Sequence, residues 1–90
     1  MLSRQVTVGN VLGLHARAAA RFVHTAGTFA ARVRVSRDGR EMDGKSILGL
    51  LLLAAGRGAV LTITTDGPDE AGAMESLVRL VEEGFGEPCV

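Results

Sequence analysis

Ninety residues, with ten Lys plus Arg against ten Asp plus Glu, make one expected domain, 1–90. It is too short for a second lobe around a large cofactor, so none is expected, and it lacks the net field that draws a chain to nucleic acid or an anionic membrane. Three Phe without Tyr or Trp are too few for a base-stacking platform, and the single cysteine, Cys89, excludes an intramolecular disulfide framework.

Val6 and Val8 alternate with Gln5 and Thr7, predicting a first strand with one apolar face. The stretch shows no signal-peptide run, and the longest apolar run, Leu50 to Ala55, is too short to cross a bilayer, so a cytoplasmic location is expected. From Ala16 to about Ala26 the period becomes helical. Ala19, Phe22, Val23 and Ala26 fall on one side, while Arg17, Arg21 and His24 form a basic stripe on the other.

Ala31, Val33 and Val35 alternate with Arg32, Arg34 and Ser36, a half-buried strand that Asp38-Gly39 turns back into a short strand around Met42. Ser46 is placed to cap a second helix over Ile47 to Ala55, with Gly56 and Gly58 marking its end. Leu61 and Ile63 alternate with Thr62 and Thr64 in a fourth strand, closed by Asp66-Gly67-Pro68. The proline suits a first helical turn, and Met74, Leu77, Val78, Val81 and Phe85 predict one apolar stripe along a last helix. The order βαββαβα, without repeat or linker, predicts an α+β, open-faced two-layer sandwich with helices on one face of an antiparallel sheet. The pattern by itself leaves the strand order open, a ferredoxin-like order included.

The chemistry concentrates in Gly13-Leu14-His15-Ala16-Arg17. His15 stands where a short loop enters a helix, and first-turn N–H groups such as those of Ala16 and Arg17 lack intrahelical acceptors, so they suit an anion. Arg17 adds a fixed charge and a planar fork of donors for phosphate oxygens. A neutral imidazole there offers a lone pair that accepts a phosphoryl group. No Ser, Asp or second His lies close in sequence to complete an autonomous catalytic group, which leaves only a partner distant in sequence. His24 follows nine residues after His15 and projects from the opposite side of a helix, so it is read as solvated, and no metal site is expected.

Gly39-Arg40-Glu41-Met42-Asp43-Gly44-Lys45-Ser46 formally matches a phosphate-binding loop. The interval contains a predicted strand and two carboxylates, so that reading is rejected. Ile47, Leu48, Leu50, Leu51, Leu52 and Leu53 point almost all round a short helix. A sheet on one side cannot bury them all, and the remainder form a candidate docking surface.

Gly13-Leu14-His15-Ala16-Arg17-Ala18-Ala19-Ala20, with Gly44-Lys45-Ser46-Ile47-Leu48-Gly49-Leu50 roughly thirty residues later, resembles HPr, the histidine phosphocarrier family of the bacterial phosphoenolpyruvate-dependent phosphotransferase system. The resemblance runs essentially end to end and implies strand order 1-4-2-3 with three helices on one face. It implies a carrier that is charged and discharged by other proteins rather than an enzyme. It implies that His15 is phosphorylated on Nδ1 by enzyme I and relieved by enzyme IIA domains, with Arg17 and the N–H groups of Ala16 and Arg17 holding the phosphate. It further implies regulatory phosphorylation of Ser46 by an HPr serine kinase/phosphorylase, and partner contacts at Leu48 and Leu51. Leu52 and Arg21 are assigned to the same partner-binding set, and a monomer is expected. Many family members carry proline where this chain has Ala18, which leaves open a sugar-uptake carrier or a carrier in a mainly regulatory branch. The alternative reading is a regulatory protein-binding module acting through Ser46 and the leucines.

Overall fold

The computed structural model describes residues 1–87. Its elements run β1 (Leu2–Thr7), α1 (Ala16–Gly27), β2 (Arg32–Arg37), β3 (Arg40–Asp43), α2 (Ile47–Leu52), β4 (Val60–Asp66) and α3 (Glu70–Glu82), followed by one 3-10 turn at Gly84–Gly86. The strands form one antiparallel sheet of order β1-β4-β2-β3, the order implied by the family resemblance.

Alternation decides which face is covered. Val6 of β1, Val33 and Val35 of β2, and Leu61 and Ile63 of β4 are buried, while the intervening Arg32, Arg34, Thr62 and Thr64 are exposed or half-buried. Against the apolar face pack Ala18, Ala19, Phe22 and Ala26 of α1, Leu50 of α2, and Met74, Leu77, Val78 and Val81 of α3. Burying each large side chain among these contributes about 1.5–3 kcal/mol.

The Asp38-Gly39 turn is as predicted. Asp38 (φ 51°) and Gly39 (φ 84°) both take positive φ, and Arg37 pairs with Arg40 across the two-residue loop, whose twist matches the strands. Because β3 occupies Arg40–Asp43, the Gly39 to Ser46 stretch is no phosphate-cradling loop.

Three boundaries differ from expectation. The second helix ends at Leu52 rather than Ala55, and no glycine closes it. Arg37 donates to the carbonyls of Leu53 (3.0 Å) and Ala54 (3.1 Å), and Arg40 donates to that of Leu52 (3.2 Å). These guanidinium groups satisfy carbonyls a longer helix would have bonded, and Ala54 turns the chain at φ 51°. Pro68 lies outside the last helix, ahead of Asp69, the residue before its first turn. Phe85 is buried as expected but sits beyond the helix, in the 3-10 turn, at φ 57°. Its ring fills the core while the backbone bends the chain back toward α1.

Candidate functional site

The loop before α1 is shaped by Asn10 and Gly13. Asn10 is fully buried; its carbonyl accepts the Gly13 N–H (3.2 Å), and its Nδ2 donates to the Gly13 carbonyl (2.8 Å). Gly13 adopts φ +67°, and a Cβ there would stand 2.6 Å from the Ala55 carbonyl oxygen and 2.8 Å from Gly56 Cα. Only glycine lets the loop lie so close to the chain leaving α2. The next residue, Leu14, is buried and donates its N–H to the Ala55 carbonyl at 2.8 Å. This pins the loop just before it delivers His15.

His15 is the N-cap of α1, in extended backbone conformation. Its ring is about a quarter exposed. Nδ1 accepts the Arg17 main-chain N–H at 3.2 Å, and Nε2 lies 2.6 Å from Oε2 of Glu87. An Nδ1 that accepts carries no proton, so the proton resides on Nε2 and is donated to the carboxylate. The ring therefore turns its Nδ1 lone pair toward the Arg17 N–H at the start of α1.

Glu87 is bound from two sides. Its Oε1 accepts from Asn10 Nδ2 at 2.9 Å while Oε2 takes the His15 proton. Burial pushes its carboxyl up, but the hydrogen bonds from Asn10 and His15, with the nearby Arg21 charge, outweigh this and hold it below the ordinary carboxylate range. Arg21 itself donates to the Phe85 carbonyl, tying α1 to the 3-10 turn that brings Glu87 into place.

Ser46 caps α2, its Oγ accepting the Gly49 N–H at 3.0 Å. Beyond it Leu48 is 69% and Leu52 53% exposed, and Ile47 and Leu51 are also exposed. Leu50 and Leu53 are buried, so the leucine-rich helix divides as its all-round pattern required. α1 packs against α2, and the His15 loop bonds the chain beyond α2.

The structure thus brings His15 together with the Arg17 main chain and connects Arg21 to the site through Phe85 and Glu87. His24 is exposed on α1, and Cys89 lies outside the described residues. Among the described residues no group of three or more His, Cys, Asp or Glu is placed to hold a metal ion, and no helix is long and apolar enough to cross a membrane. Sequence reading missed Asn10 and Glu87, because His15 and Glu87 stand 72 positions apart and no local pattern joins them. It also missed Val11 and Leu12, exposed apolar residues in the loop itself. Their place beside the glycine of the His15 motif was the available signal.

The family model described as the PTS HPr component phosphorylation site matches residues 2–83. The phosphocarrier protein HPr of Cupriavidus necator is 52% identical over 87 residues, covering 97% of this chain and 98% of that protein. The crystal structure of HPr-C-His from Thermoanaerobacter tengcongensis superposes with a TM-score of 0.94 at 39% identity, covering 98% of this chain and 99% of that one. An HPr dimer from the same organism is similar at a TM-score of 0.77 and 39% identity, over 97% of this chain and 100% of that chain.

Proposed function

The chain belongs to the HPr family of phosphocarriers, and on that premise we propose that it accepts a phosphoryl group from phosphorylated enzyme I on Nδ1 of His15 and passes it to enzyme IIA domains. The observation that carries this reading is Nδ1 of His15 set 3.2 Å from the Arg17 N–H, as the acceptor of that hydrogen bond. A nucleophile with its lone pair held at a helix start meets the phosphorus and the donors for its oxygens together. The N–H groups of Ala16 and Arg17 donate to the phosphoryl oxygens, and the Arg17 guanidinium neutralises their charge. The chain is a stoichiometric intermediate, not a catalyst, because each acceptance must be followed by release to a second protein.

Ser46 and the exposed leucines support a regulatory layer on the same carrier. We read Leu48, Leu51 and Leu52, with Arg21, as the contact surface for enzyme I and enzyme IIA, and Ser46 at its edge as the site of a serine kinase. A monomer working in the cytoplasm suits this role. The test is incubation with enzyme I and phosphoenolpyruvate, followed by intact mass and phosphate stability. An adduct labile to acid, stable to alkali and lost in His15→Ala supports the reading; an uncharged wild-type protein contradicts it.

A further inference from the structure

We propose that Arg37 and Arg40 are positioning residues for α2: from the β2–β3 hairpin their guanidinium groups close the end of that helix and so fix where Leu51 and Leu52 stand. The inference rests on the reading of those leucines, with Leu48, as the surface that enzyme I meets. With six residues, Ile47–Leu52, α2 is well short of the roughly 12–15 at which an isolated helix is even marginal in water. Its shape is therefore imposed by neighbours. Ser46 holds the first turn through the Gly49 N–H, and Leu50 and Leu53 anchor the inner side in the core. The last turn has the two arginines.

The hairpin carries a local cost that α2 explains. Arg37 and Arg40 stand directly opposite each other across the two-residue turn, on the face that Val33 and Val35 bury, and like charges so placed repel. Three successive carbonyls offset that repulsion. Arg37 Nη1 donates to those of Leu53 (3.0 Å) and Ala54 (3.1 Å), and Arg40 Nη1 to that of Leu52 (3.2 Å). These are acceptors that the end of a helix leaves free, at the negative pole of its dipole.

Ala54 shows why the clamp is needed. The helix closes with tight bonds, from the Leu53 N–H to Leu50 and from the Ala54 N–H to Leu51, both at 3.1 Å, and Ala54 then turns at φ 51°. Glycine is the usual residue at such a turn, and an alanine takes this conformation only where its surroundings impose it. Without the guanidinium groups, opening the last turn relieves the strain at Ala54 and displaces Leu51 and Leu52. The His15 loop keeps its own anchor, because the Leu14 N–H still bonds the carbonyl of buried Ala55. Release of the clamp therefore weakens docking and leaves the transfer step alone.

The test compares wild type, Arg37→Met, Arg40→Met and the double variant Arg37→Met/Ala54→Gly by amide hydrogen exchange and by single-turnover charging against the concentration of phosphorylated enzyme I. Arg37→Met should speed exchange at Leu53 and Ala54 and raise the half-saturating enzyme I concentration by roughly three- to tenfold, as the fraction of α2 in the docking shape falls, with the maximal rate unchanged. Arg40→Met, which gives up one bond in place of two, should do the same to a smaller extent, and it carries the comparison if Arg37→Met is destabilised throughout. Adding Ala54→Gly to Arg37→Met should recover most of the affinity, because glycine closes the turn without help. Unchanged exchange in both single variants overturns the proposal, as does a loss of affinity that Ala54→Gly fails to recover, which would mean that the arginine touches enzyme I itself. Faster exchange with wild-type half-saturation also overturns it where Leu48→Ala and Leu51→Ala do lose affinity. If those leucine variants keep wild-type half-saturation, the contact-surface reading has failed instead, and exchange at Leu53 and Ala54 decides the clamp by itself.

Discussion

The main-chain N–H of Arg17 points at Nδ1 of His15 across 3.2 Å, and the proposed function gives the same arginine a second role, through its guanidinium. The two contributions are separable. Arg17→Ala retains the N–H and removes the charge, and because Arg17 is exposed its loss should leave stability within roughly 0.5 kcal/mol of wild type. Charging and discharge of His15 should both slow, by roughly a hundred- to a thousandfold, the range for loss of one donor to a developing anion. Stopped-flow or quench measurements in both directions, beside a thermal melt, check this. Equal rates would assign the role to the backbone amides alone.

Gly13→Ala attacks the support of the site rather than its chemistry. The new Cβ would meet the Ala55 oxygen at 2.6 Å in a residue already at φ +67°. The substitution should cost about 2 kcal/mol or more and displace the loop that presents His15. Chemical denaturation should show a lower midpoint with an unchanged slope, and charging should slow even under conditions where the variant is fully folded.

Ser46 separates capping from signalling. Ser46→Ala loses the bond to the Gly49 N–H and should cost about 1 kcal/mol with no change in enzyme I affinity. Ser46→Asp keeps a good cap while adding a negative charge at the edge of the exposed leucines. It should weaken the apparent affinity for enzyme I, and added salt should recover part of the loss, because a rim charge acts through screened electrostatics. Measuring charging rate against enzyme I concentration for both variants decides the matter. If they behave alike, Ser46 serves α2 only.

Acid stability should depend on Asp69. Its carboxylate accepts the N–H groups of Ala30 and Ala31, both at 2.8 Å, and these bonds, Ala30 first, hold its pKa below the ordinary 3.8. A depressed carboxyl contributes stability that is complete above the unfolded value and is lost as pH falls through the folded one. Asp69→Asn should therefore be less stable than wild type at neutral pH, with the difference shrinking below about pH 4. Parallel melting curves from pH 7 downward test it; a constant difference would show that Asp69 acts through its shape and not its charge.

Strand faces and the hairpin were legible because they are local: Val33 and Val35 alternate with arginines, and Asp38-Gly39 supplies two positive φ values side by side. His15 and Ser46 were legible for the same reason, each preceding a helix it caps. The end of α2 was not, since its carbonyls are satisfied by Arg37 and Arg40 from a hairpin earlier in the chain. Nor could a helical period show that the chain kinks at Phe85 while keeping that ring in the core. The partner of the histidine escaped for the most basic reason. Glu87 meets His15 only after α3 and the 3-10 turn have carried the chain back to the start of α1.

The central claim is that the phosphoryl group rides on Nδ1 of His15. It is tested most directly by charging isotope-labelled protein with enzyme I and phosphoenolpyruvate, then locating the phosphorus by its scalar coupling to the ring nitrogens. The account predicts phosphorus bonded to Nδ1 of His15, a proton retained on Nε2, His24 unmodified, and no signal in His15→Ala. Phosphorus on Nε2, on His24 or on a hydroxyl, or a His15→Ala protein charged like wild type, would contradict it.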